Sequence, residues 1–114
     1  MFQPDLLKNK TILITGGGTG LGKSMATRFG ELGANLIISS RKQEVLDQAA
    51  EELRQTGAKV FRFSCDVRNP LEIDELLKQT KSRFDRIDAL VNNAAGNFIS
   101  PTEMLSPGGF KAVV

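Results

Sequence analysis

The chain has 114 residues, with 15 Lys and Arg against 13 Asp and Glu, one Cys, and no His, Tyr or Trp. Without His there is no Ser-His-Asp triad, no histidine base and no Cys-His zinc site, so no metal is expected; without Tyr no phenol can donate a proton. A net charge of +2 with scattered cations gives no footprint for nucleic acid, the longest apolar runs are three residues, too short for a membrane, and the lone Cys65 allows no internal disulfide.

The opening Met-Phe-Gln-Pro-Asp has neither a charged segment followed by an apolar one nor an Arg/Ser-rich amphipathic character. It therefore argues against a secretory or transit peptide, and a cytoplasmic globular protein of one domain is the expectation.

The first apolar run, Thr11–Thr15, reads as a strand, and a helix should follow from about Gly20 to Leu32, with Met25, Phe29 and Leu32 on its buried face. Gly33 supplies its left-handed end. A second strand, Asn35–Ser39, leads to a helix expected to start at Ser40, where Ser40-Arg41-Lys42-Gln43 reads as a capping box. Val45, Leu46, Ala49 and Leu53 form its stripe, and Gly57 ends it. After a third strand at Lys59–Ser64, the next helix has Asn69 as N-cap, Pro70 first and Glu72 third, with Ile73, Leu76, Leu77 and Phe84 on one face. A fourth strand covers Ala89–Asn92. Strand–helix alternation with uninterrupted apolar strands such as Ile12-Leu13-Ile14 predicts an α/β fold, a parallel sheet with helices on both faces. Beyond Ser106-Pro107-Gly108-Gly109, the run Phe110–Val114 looks like an apolar element just beginning, so the expectation is a domain truncated after its fourth strand.

Five of the 11 glycines, Gly16, Gly17, Gly18, Gly20 and Gly22, fall within seven residues between the first strand and the first helix. Bare backbone there lets N–H groups approach a ligand, and the helix N-terminus adds roughly half a positive charge, so a pyrophosphate is the natural occupant. Gly17-x-x-x-x-Gly22-Lys23-Ser24 also matches a P-loop formally, but no apolar strand ending in Asp is placed to hold Mg²⁺. A Gly-rich turn without a ligand is the plainest alternative. The strand–loop–helix context favours a dinucleotide. NAD sites place an acid about 20 residues further on, at the end of the second strand, whereas an Arg there accommodates a 2′-phosphate. Here Ser39, Ser40, Arg41 and Lys42 stand at that point, with no acid before Glu44. NADP(H) is the expected cofactor, the alternative being a solvated basic turn.

These residues resemble the short-chain dehydrogenase/reductase family. Thr15-Gly16-Gly17-Gly18-Thr19-Gly20-Leu21-Gly22 is similar to its cofactor loop, Cys65-Asp66-Val67 to its adenine-contacting Asp-Val step, and Asn92-Asn93-Ala94-Ala95-Gly96 to its Asn-Asn-Ala-Gly signature. The resemblance implies a Rossmann-like sheet and cofactor contacts from Thr15, Gly16, Gly18, Thr19, Gly20, Leu21, Gly22, Ser40, Arg41, Lys42, Asp66, Val67, Asn92, Ala94 and Gly96. The stretch from Asn93 to Glu103 further resembles the 2,4-dienoyl-CoA reductase branch, in which this loop lines an acyl-CoA site. By that similarity Asn97 would hydrogen-bond the thioester or dienolate oxygen, Phe98 and Ser106 would touch the substrate, and Arg68 would meet a CoA phosphate.

Members of the family run to about twice this length, and their second half carries a catalytic Tyr and Lys, often a Ser, and the helices that build a homo-oligomer. The expectation is an NADPH-dependent reduction of enoyl- or dienoyl-CoA by the full-length enzyme, the 114-residue chain alone being inactive. A ketone, alcohol or 3-oxoacyl reductase of the same family, or a non-catalytic dinucleotide-binding module, are the alternatives.

Overall fold

The computed structural model describes residues 6–18, 20–93 and 112–113. Strands β1 (Thr11–Thr15), β2 (Asn35–Ser40), β3 (Val60–Ser64), β4 (Ala89–Asn92) and β5 (Ala112–Val113) form one parallel sheet in the order β3-β2-β1-β4-β5. Helices α1 (Gly20–Glu31), α2 (Gln43–Arg54) and α3 (Pro70–Phe84) connect the first four strands.

β1 is central and buried at every position, as an apolar run covered on both faces should be. Side chains alternate across it. Ile12 and Ile14 join Leu36, Ile38 and Val91 against Ala26 of α1 and Leu46, Ala49, Ala50 and Leu53 of α2. Leu13, Ile37 and Leu90 point the other way, onto Ile73, Leu76 and Leu77 of α3. The two cores are fixed by register: Ile12 stands beside Leu36 and Ala89, Leu13 beside Ile37 and Leu90. A one-residue slip would exchange both faces at once.

The Asn69 signal is confirmed: its Oδ1 accepts from Leu71 and Glu72 N–H, with Pro70 at the first helical position. At the end of α1, Gly33 has φ 97°, with Gly33 N–H donating to the Gly30 carbonyl and Ala34 N–H to Phe29. That is a Schellman end, as the glycine predicts.

Two expectations need correction. The buried line of α1 is Gly22, Ala26 and Gly30, while Met25 and Phe29 only flank the core. Small residues let the helix axis approach its neighbours closely: a Cβ on Gly30 would lie 2.6 Å from Thr56 Oγ1, just past α2, and 3.3 Å from the Leu36 side chain of β2. Second, Ser40 is not the N-cap of α2. It is still paired with Ser64 in the β2–β3 ladder, so its backbone stays extended, and Lys42 stands at the cap. Beyond the fourth strand, β5 pairs with β4, Ala112 beside Leu90 and Val113 beside Val91, within the stretch where an apolar element was expected to begin.

Candidate dinucleotide site

Because β1 to β4 are parallel, the segments that follow them emerge at one edge of the sheet. The glycine loop follows β1, Arg41 and Lys42 follow β2, Asp66 and Val67 follow β3, and Asn93 follows β4. Strand order reverses at β1, whose neighbours are β2 and β4, and such a switch point opens the crevice where α/β sheets take ligands.

The loop after β1 is held from both sides. Gly16 N–H donates to the Ser39 carbonyl at 2.8 Å, tying the loop to β2. Thr15, fully buried, receives the Asn93 N–H on its Oγ1 at 3.0 Å and lies 3.2 Å from Asn92 Oδ1. The Asn93 side-chain amide then donates to the Gly16 carbonyl at 3.4 Å. Asn93 was not among the expected contact residues. The doubled Asn was visible in the sequence, but which of the two side chains turns to the loop depends on the last pleat of β4.

The glycines have separable roles. A Cβ on Gly22 would lie 2.3 Å from the Gly16 carbonyl oxygen, so loop and helix touch through backbone there. Gly17 is closed by Ile38 and Gly18 by Val45, at 2.8 and 2.7 Å from a hypothetical Cβ. Gly20 differs: φ is 57° and nothing stands within 4 Å of its missing side chain. The start of α1, with Leu21 exposed beside it, thus presents open backbone of a kind that suits a pyrophosphate. Lys23, which a P-loop would aim at a phosphate, is ion-paired with Glu52 on α2.

At the end of β2 the displaced helix start matters. Lys42 caps α2 without a side-chain bond to the helix, and the Ser40 hydroxyl accepts from Lys42 N–H at 3.3 Å. The first-turn N–H groups of α2 therefore have no side-chain cap, and the exposed Arg41 and Lys42 stand directly before them. Ser64 Oγ donates to the Arg41 carbonyl at 3.4 Å and steadies this turn. Two cations at the positive end of a helix repel it by a few tenths of a kcal/mol or more each, and an anion would relieve that.

After β3, Val67 is buried against α3, and Asp66 is paired with Arg68. The Arg68 guanidinium and N–H, with Arg41 nearby, hold the Asp66 carboxyl below the usual carboxylate range. Glu72 Oε1 accepts from Asp66 N–H at 3.1 Å, so the turn is anchored to α3. Cys65, buried just before it, has its thiol pushed up to about 11 by desolvation and by the Glu72 and Asp66 charges, which leaves it inert.

The structure thus gathers Thr15, Gly16, Gly18, Gly20, Leu21, Gly22, Ser40, Arg41, Lys42, Asp66, Val67, Arg68 and Asn92 at the carboxyl edge. Thr19, Ala94, Gly96, Asn97, Phe98 and Ser106 lie outside the described residues. No helix among the described residues is long and apolar enough to cross a membrane.

Comparison with known proteins agrees with this geometry. A family model described as short chain dehydrogenase matches residues 10–114. The chain is 41% identical over 108 residues to a probable 2,4-dienoyl-CoA reductase of Bacillus subtilis, covering 95% of this chain and 42% of that one. It is 40% identical over 113 residues to a peroxisomal 2,4-dienoyl-CoA reductase of Arabidopsis thaliana, covering 99% and 38%. Among solved structures, an NAD⁺-bound xylitol dehydrogenase superposes with a TM-score of 0.77 at 28% identity, over 79% of this chain and 35% of that one. The chain spans about two-fifths of the length of the curated relatives it matches. It belongs to the short chain dehydrogenase family.

Proposed function

We propose that this chain forms the NADP(H)-binding part of a reductase acting on an enoyl- or dienoyl-CoA. One observation carries the cofactor choice: Arg41 and Lys42 stand exposed before the uncapped first turn of α2, and no carboxylate stands between the end of β2 and Glu44 in that turn. An acid there would accept the 2′-OH of NAD, whereas these groups suit a 2′-phosphate. When bound, the cofactor supplies a hydride for the conjugated acyl chain.

The chain's own residues bind and orient. Gly16, Gly18, Thr19, Gly20, Leu21 and Gly22 approach the pyrophosphate through backbone, Asp66 and Val67 take the adenine edge, Thr15, Ala94 and Gly96 contact the cofactor, and Asn92 braces its strand. Asn97 hydrogen-bonds the thioester or dienolate oxygen, Phe98 and Ser106 touch the substrate, and Arg68 meets a CoA phosphate. The acyl-CoA assignment draws on the names of the Bacillus and Arabidopsis relatives. The proton-transfer group cannot be a Tyr of this chain, which has none.

A second reading has support from the NAD⁺-bound xylitol dehydrogenase, namely an alcohol or ketone substrate on the same cofactor site. NADPH oxidation by the full-length enzyme, followed with a 2,4-dienoyl-CoA and then with a 3-oxoacyl-CoA, separates the two. Turnover of the dienoyl substrate alone is the expected result; turnover of the oxoacyl substrate alone would overturn the proposal.

A further inference from the structure

Ser40 and Ser64 stand opposite each other in the β2–β3 ladder. Each lies two residues beyond a side chain packed toward α2, Ile38 on β2 and Val60 with Arg62 between on β3, so both serines belong to that face of the sheet. Their hydroxyls reach the same peptide. Ser64 Oγ donates to the Arg41 carbonyl at 3.4 Å, and Ser40 Oγ accepts from Lys42 N–H at 3.3 Å. That carbonyl and that N–H belong to the planar unit joining the two cations, which is therefore held from both ends. Holding it fixes ψ of Arg41 and φ of Lys42, the latter at −103°, and with them the directions in which the two side chains leave the turn.

The serines hold the turn against its own electrostatics. Cations before a helix N-terminus are repelled by it, and Arg41 and Lys42 are both exposed, so no apolar packing anchors them. The neighbouring elements are fastened by other bonds. Gln43 Nε2 donates to Asp47 Oδ1 at 2.9 Å, and Arg62 of β3 pairs with the same carboxylate, which ties the start of α2 to the edge strand. Cys65 N–H donates to the Ser40 carbonyl at 2.9 Å and closes the end of the ladder. Removing the Ser64 hydroxyl therefore releases the Arg41 carbonyl and leaves α2 and the sheet in place.

We propose that Ser64 is a positioning residue for cofactor choice: it touches no part of the dinucleotide and acts by holding the Arg41–Lys42 peptide so that both cations are presented to a 2′-phosphate. This rests on the reading under Proposed function and extends it to a residue of β3, outside the basic turn. Cations set in place before the ligand arrives spare it the cost of ordering them. Only a ligand that carries the phosphate gains from this; NADH, with a hydroxyl at that position, does not. One neutral hydrogen bond on an exposed turn sets the scale at about two- to five-fold in NADPH affinity.

Calorimetric titration with NADPH and with NADH tests this on the protein, on Ser64→Ala and on Ser64→Thr. Ser64 is exposed, so neither substitution opens a cavity. Ser64→Ala should weaken NADPH about two- to five-fold and leave NADH within about 1.5-fold. Ser64→Thr keeps the hydroxyl on a residue suited to a strand, and should bring NADPH back to within about 1.5-fold of the unsubstituted protein. A merely structural role would move both dinucleotides together. Equal losses for the two in Ser64→Ala, an unchanged NADPH affinity in that variant, or a Ser64→Thr protein that binds NADPH no better than Ser64→Ala overturns the inference and leaves the cofactor assignment standing. Equal affinity for the two dinucleotides in the unsubstituted protein, or tighter binding of NADH, overturns the cofactor assignment and the inference together.

Discussion

The Asn93 amide donates to the Gly16 carbonyl at 3.4 Å, so the residue that follows β4 holds the loop that leaves β1. The same amide nitrogen stands 2.5 Å from the point a Gly22 Cβ would occupy. Gly22 is therefore glycine because a helix, a carbonyl and an amide meet on it, and not only because a ligand must come near.

Gly22→Ala should be the more damaging of two alanine substitutions in this loop. Its Cβ would meet the Gly16 carbonyl oxygen at 2.3 Å, which only a backbone shift can relieve. A cost of about 3 kcal/mol and loss of detectable NADPH binding are expected. Gly20→Ala meets nothing within 4 Å and suffers only from φ of 57°, costing about 1–2 kcal/mol with the fold intact. Urea denaturation of the two variants checks the order; equal stability would show that the loop does not pack as described.

Asp88 ties the other end of the sheet. Its Oδ2 accepts from Thr11 N–H at 2.7 Å, its N–H donates to the Thr11 carbonyl at 2.8 Å, and Arg86 pairs with its carboxylate. Partial burial would raise this carboxyl, but the Thr11 N–H and Arg86 outweigh it and hold it below the usual carboxylate range. A carboxyl depressed in the folded state stabilises above its unfolded value and loses that contribution as pH falls through the folded one. Asp88→Ala should thus cost about 1.5–3 kcal/mol at neutral pH and progressively less as the pH falls below the ordinary aspartate value of about 3.9. Thermal melts of both proteins across that range provide the check, and parallel pH curves would remove Asp88 from the acid response.

Ser39 is fully buried, and its Oγ is the only such side-chain polar atom among the described residues with no hydrogen-bond partner. Its carbonyl, which receives Gly16 N–H, belongs to the backbone and survives any substitution. An unsatisfied buried hydroxyl costs about 1–3 kcal/mol, so Ser39→Ala should leave stability unchanged or raise it by about 1 kcal/mol. A drop of that size in a denaturant midpoint would mean that the hydroxyl has a partner.

The sheet and its helices were legible because local signals and burial agree. Ile12-Leu13-Ile14 is apolar at every position and lies between two helical layers; Asn69, Pro70 and Glu72 mark a helix start that sequence and structure share. Where tertiary contacts decide, the sequence misled. Ser40 has the chemistry of a cap but its pairing with Ser64 keeps it in β2, and large apolar residues masked the small line Gly22-Ala26-Gly30 that touches the sheet. Asn93 was hidden for a related reason. Its role comes from a bond to a residue 77 positions away, which no local pattern encodes.

The central claim is that the basic turn before α2 selects a 2′-phosphate. Calorimetric titration of the protein and of Arg41→Ala with NADPH and with NADH tests it most directly. The account predicts that the substitution weakens NADPH roughly tenfold or more and changes NADH by less than about twofold. Equal losses for the two dinucleotides, or tighter binding of NADH than NADPH before any substitution, would contradict it.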